Sequence, residues 1–433
     1  MTASSARKTI VDKLVIEGGR RLKGEVEVSG AKNSALPIMA AALLSEEESV
    51  LENVPYLRDI ATMMKLLHSL GAKAHYEAGT ITIKPGRNLK SVAPYKLVST
   101  MRASVCVLGP LLARLNHAEV SLPGGCVIGP RPIDLHLKGL RGLNTQIDIE
   151  HGYVIARAKK KLRGSEIFLG GAFGSSVLAT GNVLMAATLA SGTTVIENSA
   201  CEPEVVDLAH FLKKMGARIS GEGSPRMVIE GVKRLKGAHH RVIPDRIEAG
   251  TYMVASAMTG GDVTVKNVVP EHQNALMDKL RQSGVRVERK KDSIRVRRNG
   301  GGGLKAVDLA TLPYPGFPTD LQAQMMALMS VTPGISIITE KIYPDRFIHV
   351  AELNRMGSRI FLEGNSAIVH GVKNLSGAPV TASDLRASAA LLLAGLVAEG
   401  KTEVYRVYHL DRGYEKIEEK FAGLGARVGR EKE

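Results

Sequence analysis

Five short stretches of this 433-residue chain combine residue types that could do chemistry. In Pro123-Gly124-Gly125-Cys126-Val127-Ile128-Gly129-Pro130-Arg131-Pro132, a thiol stands five residues before a guanidinium in a glycine-rich loop. A cationic neighbourhood lowers a cysteine's pKa and makes it reactive. The Cys–His–Asn spacing of a thiol protease is absent, so Cys126 reads as an acid or a covalent partner. Cys106 and Cys201 read instead as small buried apolar residues. In Ser29-Gly30-Ala31-Lys32-Asn33, a lysine sits at a strand-to-helix turn, where a point charge beside free N–H groups suits a phosphate. A solvated Lys32 with Asn33 capping the helix is the plainer alternative. Tyr314-Pro315-Gly316-Phe317-Pro318-Thr319-Asp320 places a carboxylate on a proline-fixed loop at a helix start, which suits a general base and equally a helix cap. Asp384-Leu385-Arg386 and Asp411-Arg412 could be cleft charges or structural ion pairs.

These residues need a frame, and the sequence supplies one by repeating itself. A unit recurs: an Ala/Leu-rich apolar helix, a β-branched strand, a loop, then an amphipathic helix. The strands read Ser49–Asn53, Glu119–Leu122, Thr193–Asn198, Asp262–Asn267, Ile335–Glu340 and Thr402–Val407. Each second helix closes on a residue suited to a left-handed cap: Gly71, Asn144, Gly216, Gly284, Gly357 and Gly425. The spacing of 68–73 residues gives six units. Helices apolar nearly all round should be buried, with strands laid over them. Six units group as three plus three, predicting an α/β protein of two similar domains with a cleft between. Loops such as Pro55–Asp59, Tyr343–Arg346 and His409–Arg412 then fall at equivalent ends, beside helix N-termini that favour anions.

Composition narrows the classes. Apolar residues at 44% and charged residues at 23% allow large cores and exclude wholesale disorder. Three cysteines make no paired framework, which fits a reducing cytosol. Met1–Asp12 shows no apolar stretch of a secretory signal, and the run Ala389–Ala398 is too short to span a bilayer. The predicted location is cytoplasmic, without membrane insertion. The net charge of +15 points to anionic partners. The basic runs Arg157–Arg163 and Arg289–Arg298 could touch phosphates, but they also read as solvated hairpins. No zinc spacing, basic-region helix or aromatic platform accompanies them, so no nucleic-acid partner is expected.

Eight motifs then carry a resemblance over essentially the whole length. They are SGAKNSALP (Ser29–Pro37), TMRAS (Thr100–Ser104), LPGGCVIGPRPIDLH (Leu122–His136), EPEVVD (Glu202–Asp207), PDRIEAGT (Pro244–Thr251), FPTDLQAQ (Phe317–Gln324), DLRASAALLLAG (Asp384–Gly395) and YHLDRGYE (Tyr408–Glu415). In this order they resemble the UDP-N-acetylglucosamine 1-carboxyvinyltransferases, enolpyruvyl transferases related to 5-enolpyruvylshikimate-3-phosphate (EPSP) synthase, from which the cysteine loop separates them. The resemblance implies an inside-out α/β barrel of two three-repeat domains. One comprises 1–31 plus 246–433 and the other 32–245, with crossings near Ala31 and Pro244–Arg246. It implies transfer of enolpyruvyl from phosphoenolpyruvate to the 3′-hydroxyl of UDP-N-acetylglucosamine, by addition and elimination with release of phosphate. That is the first committed step of peptidoglycan precursor synthesis, and no metal or organic cofactor takes part.

The same resemblance implies roles residue by residue. Lys32 and Asn33 bind phosphoenolpyruvate; Arg131 and Arg412 surround its phosphate and carboxylate, where forked donors suit planar anions. Cys126 is the general acid toward the enol carbon, can carry a pyruvate-derived adduct, and is the target of fosfomycin. Asp320 contacts the sugar hydroxyl as its base. Arg102, the run Arg131, Pro132, Ile133, Asp134 and Leu135, and Ile342 contact the nucleotide sugar. Arg346 and Asp384 are further cleft residues. Departures stand at Phe168–Val177, longer than in familiar members, and at Leu178, Arg58 and Cys106. Like-signed residues across the cleft predict a form that stays open when empty and closes the cysteine loop over bound anions. A related enzyme with another acceptor and a nucleic-acid binder are the competing readings, and the oligomeric state is not legible.

Overall fold

The computed structural model describes residues 12–122, 133–172, 174–298 and 303–432. Each unit begins with an inner helix: Lys32–Ala41, Leu108–Leu115, Val177–Ala187, Arg246–Met258, Gln322–Ser330 and Leu385–Val397 in turn. These sequences lack a polar stripe, so the helices are buried on nearly every side. All nine residues of Gln322–Ser330 are buried, as are eleven of the thirteen in Leu385–Val397. The outer helices, for example Arg58–Ser69 and Pro203–Lys214, bury one face only.

The strands form six four-stranded sheets of one repeated pattern. In the first, His239–Arg241 runs parallel to Ser49–Glu52, which pairs antiparallel with Thr80–Lys84, which pairs with Lys73–Glu77. The sheets remain separate among the described residues, so six small sheets cover the buried helices and no single sheet closes into a barrel. In the sixth sheet the chain's own beginning fills the third position: Asp12–Glu17 lies antiparallel to both Lys401–Tyr405 and Arg427–Lys432. Lys23–Glu27 joins the fourth sheet, parallel to Asp262–Lys266.

The boundaries of the central strands fall within two residues of the sequence expectation. Three of them end earlier because Asn53, Asn198 and Asn267 adopt left-handed φ values of 57°, 59° and 55°. An asparagine tolerates that region, and here the turned side chain has work. Asn53 Nδ2 donates to the Val242 carbonyl at 2.8 Å, and Asn267 Nδ2 to the Val28 carbonyl at 2.6 Å. Both asparagines therefore hold the strands that lead into the crossings.

Buried apolar side chains fall into two clusters. One draws on Ala31 to Val242, the other on Leu14 to Val28 together with Ile247 to Ala426. Between them the two crossings lie side by side, with Ala31 N–H donating to the Ile243 carbonyl (2.7 Å) and Asp245 N–H to that of Ser29 (2.9 Å). A β-carbon at Gly30 would run into the Asn53 carbonyl, so only glycine permits this approach. The basic run Arg289–Arg298 lies in the hairpin of Arg286–Arg289 and Ser293–Arg297, and two of its arginines are paired within the sheet. Arg295 reaches Asp262 twice at 2.7 Å, and Arg297 reaches Glu288 at 3.1 Å. Among the described residues no helix is long and apolar enough to cross a membrane.

All six predicted helix-closing residues have positive φ, from 64° at Asn144 to 103° at Gly216. Around Gly216 a β-carbon would meet nothing within 4 Å, so its requirement is conformational alone. Gly216→Ala should cost about 1–2 kcal/mol, while Gly216→Asn, copying Asn144, should cost less than half of that. Urea midpoints of the two variants check this; equal losses would mean that packing, not φ, sets the choice.

Candidate active site

Lys32 is the first residue of its inner helix and is 8% exposed. The helix cap is Ala31, with no side-chain capping bond, so Asn33 is not a cap. Lys32 Nζ lies 3.0 Å from Asp59 Oδ2, and Arg412 Nε lies 2.9 Å from Asp59 Oδ1. One carboxylate thus holds a lysine of the first unit and an arginine of the sixth. Burial alone would raise the Asp59 pKa, but the two cations outweigh it and hold the group below the usual carboxylate range. Beneath Lys32, Asp207 takes the Ser34 hydroxyl at 2.5 Å and pairs with His240 at 2.9 Å. This buried network fixes the helix start against the strand that leads into the crossing.

Asp320 lies in the short turn Thr319–Leu321, which its side chain does not cap. Its two oxygens go to two arginines, Oδ1 to Arg346 Nη1 and Oδ2 to Arg386 Nη2, each at 2.8 Å. Desolvation would raise its pKa, but Arg386 and Arg346 hold it well below the usual range. Asp384 turns out to be the cap: it accepts from Arg386 N–H (2.8 Å) and Ala387 N–H (3.1 Å) at the start of Leu385–Val397. Asp411 pairs with Arg430 at 2.6 Å, leaving its neighbour Arg412 to Asp59. The two adjacent-charge pairs of the sequence are therefore not pairs in the structure.

The remaining candidates are partly within view. Arg102 opens the turn Arg102–Val107. Burial, with the charge of Arg102, pushes His136 down to about 3. Its neutrality agrees with the network. Asn182 Oδ1 accepts from Gly109 and Nδ2 donates to Val105, so the other Nδ2 hydrogen points to His136 Nδ1 at 2.9 Å. Ile133 is buried, Asp134 is exposed in the first turn of Asp134–Gly142, and Leu135 is partly buried. Ile342 N–H donates to Glu340 at 2.8 Å. Cys126, Arg131 and Pro132 lie outside the described residues, as does the expected closing loop. Cys106 is fully buried and burial pushes its thiol up to about 12; burial also raises that of Cys201. Neither is a thiolate at neutral pH.

The cleft is not lined by one sign of charge, as the sequence suggested. Carboxylates interleave with the cations across the junction: Glu204 holds Arg246 Nε at 2.9 Å, and Glu415 accepts the Tyr56 N–H at 2.8 Å. Repulsion is therefore offset within the protein itself. Asp59, Arg386 and Glu204 escaped the sequence-based assignment of roles, although each lies inside a loop or motif already picked out. Their partners are distant in the chain, and only the fold brings them together.

The family description EPSP synthase (3-phosphoshikimate 1-carboxyvinyltransferase) matches residues 16–421. UDP-N-acetylglucosamine 1-carboxyvinyltransferase of Methylacidiphilum infernorum is 55% identical over 97% of this chain and 99% of its own. The protein of that name from Myxococcus xanthus is 54% identical over 98% and 100%. The chain belongs to the UDP-N-acetylglucosamine 1-carboxyvinyltransferases of the EPSP synthase family. Among solved structures, the enolpyruvyl transferase NikO of Streptomyces tendae superposes with a TM-score of 0.88 at 25% identity, covering 98% of this chain and all of its own. EPSP synthase of Acinetobacter baumannii gives 0.75 at 19%, covering 97% and 100%, and shares the fold. Membership of this carboxyvinyltransferase family agrees with a cleft rich in paired arginines and lysines.

The lowered pKa values have a stability consequence with a definite sign. A carboxylate whose folded pKa is depressed stabilises the fold above the unfolded value of about 4 and loses that contribution as pH falls toward the folded value. Asp320→Asn removes it and leaves two guanidiniums, 7% and 4% exposed, without their carboxylate. Breaking a buried pair costs about 3–5 kcal/mol, less here because a quarter of the Asp320 side chain meets solvent. Acid denaturation curves should show the variant less stable at pH 7, with the gap closing below about pH 4. A gap independent of pH would refute the ion-pair account.

Proposed function

We propose that this carboxyvinyltransferase moves the enolpyruvyl group of phosphoenolpyruvate onto the 3′-hydroxyl of UDP-N-acetylglucosamine, releasing phosphate, in the first committed step of peptidoglycan precursor synthesis. The observation that carries the reading is the pairing of two buried cation clusters, Lys32–Asp59–Arg412 and Arg346–Asp320–Arg386, at the junction of the two core clusters. In this reading residues 1–31 plus 246–433 and residues 32–245 are two domains, each with its own core, and the substrates lie between them.

Phosphoenolpyruvate carries a phosphate and a carboxylate, and Lys32, Asn33, Arg131 and Arg412 receive them. Its anions compete with Asp59 for Lys32 and Arg412, so binding exchanges an internal salt bridge for one to substrate. Cys126 delivers a proton to the methylene carbon, which leaves positive charge on the adjacent carbon. The sugar hydroxyl attacks that carbon and gives its proton to Asp320. A carboxylate held between two arginines is a weak base, but a hydroxyl already bonding to a cationic carbon is strongly acidic, so a weak base suffices. Collapse of the ketal then takes a proton from the new methyl group and expels phosphate, whose charge the same cations stabilise. Arg102, Ile133, Asp134, Leu135 and Ile342 hold the nucleotide sugar. No metal or organic cofactor takes part, and the enzyme works in the cytoplasm, supporting cell-wall growth, cell shape and division.

Phosphate release from phosphoenolpyruvate, measured over a panel of acceptors, tests the assignment. Release with shikimate 3-phosphate but not with UDP-N-acetylglucosamine would overturn it. Asp320→Asn, assayed at a temperature where it stays folded, should lose about 10²–10⁴-fold in kcat with much smaller changes in nucleotide-sugar affinity. The epoxide fosfomycin should label Cys126 alone, because the other two thiols are held protonated by burial. A fosfomycin adduct found by mass spectrometry on Cys106 or Cys201 instead would remove Cys126 from its role.

A further inference from the structure

Glu340 follows the central strand Ile335–Thr339 of the fifth unit, and its side chain is wholly buried. Burying a carboxylate is costly unless its oxygens are hydrogen-bonded. Here Oε1 accepts from the Thr311 hydroxyl at 2.6 Å and from the backbone N–H groups of Ile342 at 2.8 Å and Tyr343 at 3.0 Å. Oε2 accepts from the Thr319 hydroxyl at 2.9 Å. Thr319 passes the arrangement on, because its Oγ1 also accepts from Arg346 Nη1 at 2.9 Å. A hydroxyl has a single proton. Glu340 takes it, so the oxygen must present its lone pair to Arg346. That same Arg346 nitrogen reaches Asp320 Oδ1 at 2.8 Å.

We propose that Glu340 is a positioning residue for the acceptor side of the reaction, acting through Thr319 to aim Arg346 and hence Asp320, while its other oxygen fixes the backbone at Ile342. The proposal rests on the reading of Asp320 as the group that faces the acceptor hydroxyl. Glu340 touches neither substrate in this scheme. It sets the rotamer of a guanidinium one step away, and a displacement of about 1 Å at the reacting groups can cost 10²-fold in rate.

Three variants separate aiming from general support. Thr319→Val keeps shape but removes the hydroxyl link to Arg346. Thr311→Val removes a shorter bond to Glu340, together with the acceptor of the Lys341 N–H, on the side away from Arg346. Glu340→Gln places an amide N–H₂ against one of the donors. The expected result is a kcat about 10–100-fold lower in Thr319→Val and Glu340→Gln, with the KM for phosphoenolpyruvate within about twofold and Thr311→Val near wild type. A kcat within about twofold of wild type in Thr319→Val, or an equal loss in Thr311→Val, overturns the proposal. Wild-type enzyme that releases no phosphate with these substrates overturns the functional reading instead. Crystal structures of the two threonine variants then decide on Glu340 independently: Arg346 leaves Asp320 in Thr319→Val and stays in Thr311→Val if the aiming is real. Arg346 unmoved in Thr319→Val refutes it.

Discussion

The contact on which the cleft depends is the antiparallel meeting of two chain crossings. Ala31 donates to Ile243 and Asp245 to Ser29, over a glycine that tolerates no side chain. Within one residue on either side stand the cations of the junction: Lys32 opens one inner helix and Arg246 opens another. Because both helices are buried, their N-termini can lead nowhere except to the junction. A backbone constraint therefore becomes an electrostatic one, with charge concentrated where two apolar cores leave off.

The cations gathered there do not repel one another freely, because the protein provides counter-charges of its own. Asp59 holds Lys32 and Arg412 together, Asp320 holds Arg346 and Arg386, and Glu204 holds Arg246. Each pair is buried enough that losing one partner leaves an uncompensated charge. In the proposed reaction an entering polyanion would take the place of a carboxylate, and the ion pairs already orient the cations that would receive it. Preorganised charge of this kind is the largest contribution most enzymes make to stabilising a transition state.

Much of this was legible in the sequence. The six left-handed helix ends, from Gly71 to Gly425, announced the repeat because only glycine and asparagine serve there. The apolar inner helices announced their own burial, and the change from one core cluster to the other falls in the stretches around Ala31 and Pro244 that carry two of the motifs. What could not be read was which charge answers which. Asp384 and Arg386 are neighbours in sequence, yet the helix turns one into a cap and sends the other to Asp320. Arg412 likewise passes over Asp411 for Asp59, 353 residues away. Spacing along the chain determines which residues share an element; partnership across a junction depends on packing that no local pattern encodes. Glu340 had no local signal at all, because a buried carboxylate that follows a strand looks like any exposed one.

The strand Asp12–Glu17 occupies the third position in the sixth sheet, where its Lys13 meets Glu403 across 390 residues of chain. During synthesis this strand leaves the ribosome long before either of its partner strands. At about 5–20 residues per second it waits roughly 20–80 s with its edges unpaired, while the cluster from Ala31 to Val242 can already close. Order of translation and order of assembly thus run oppositely in the later half of the molecule. A nascent chain halted near residue 390 would hold one finished half and one that lacks the strands needed to seal it. Until those late strands emerge, the edges of Asp12–Glu17 stay open to pairing with other chains.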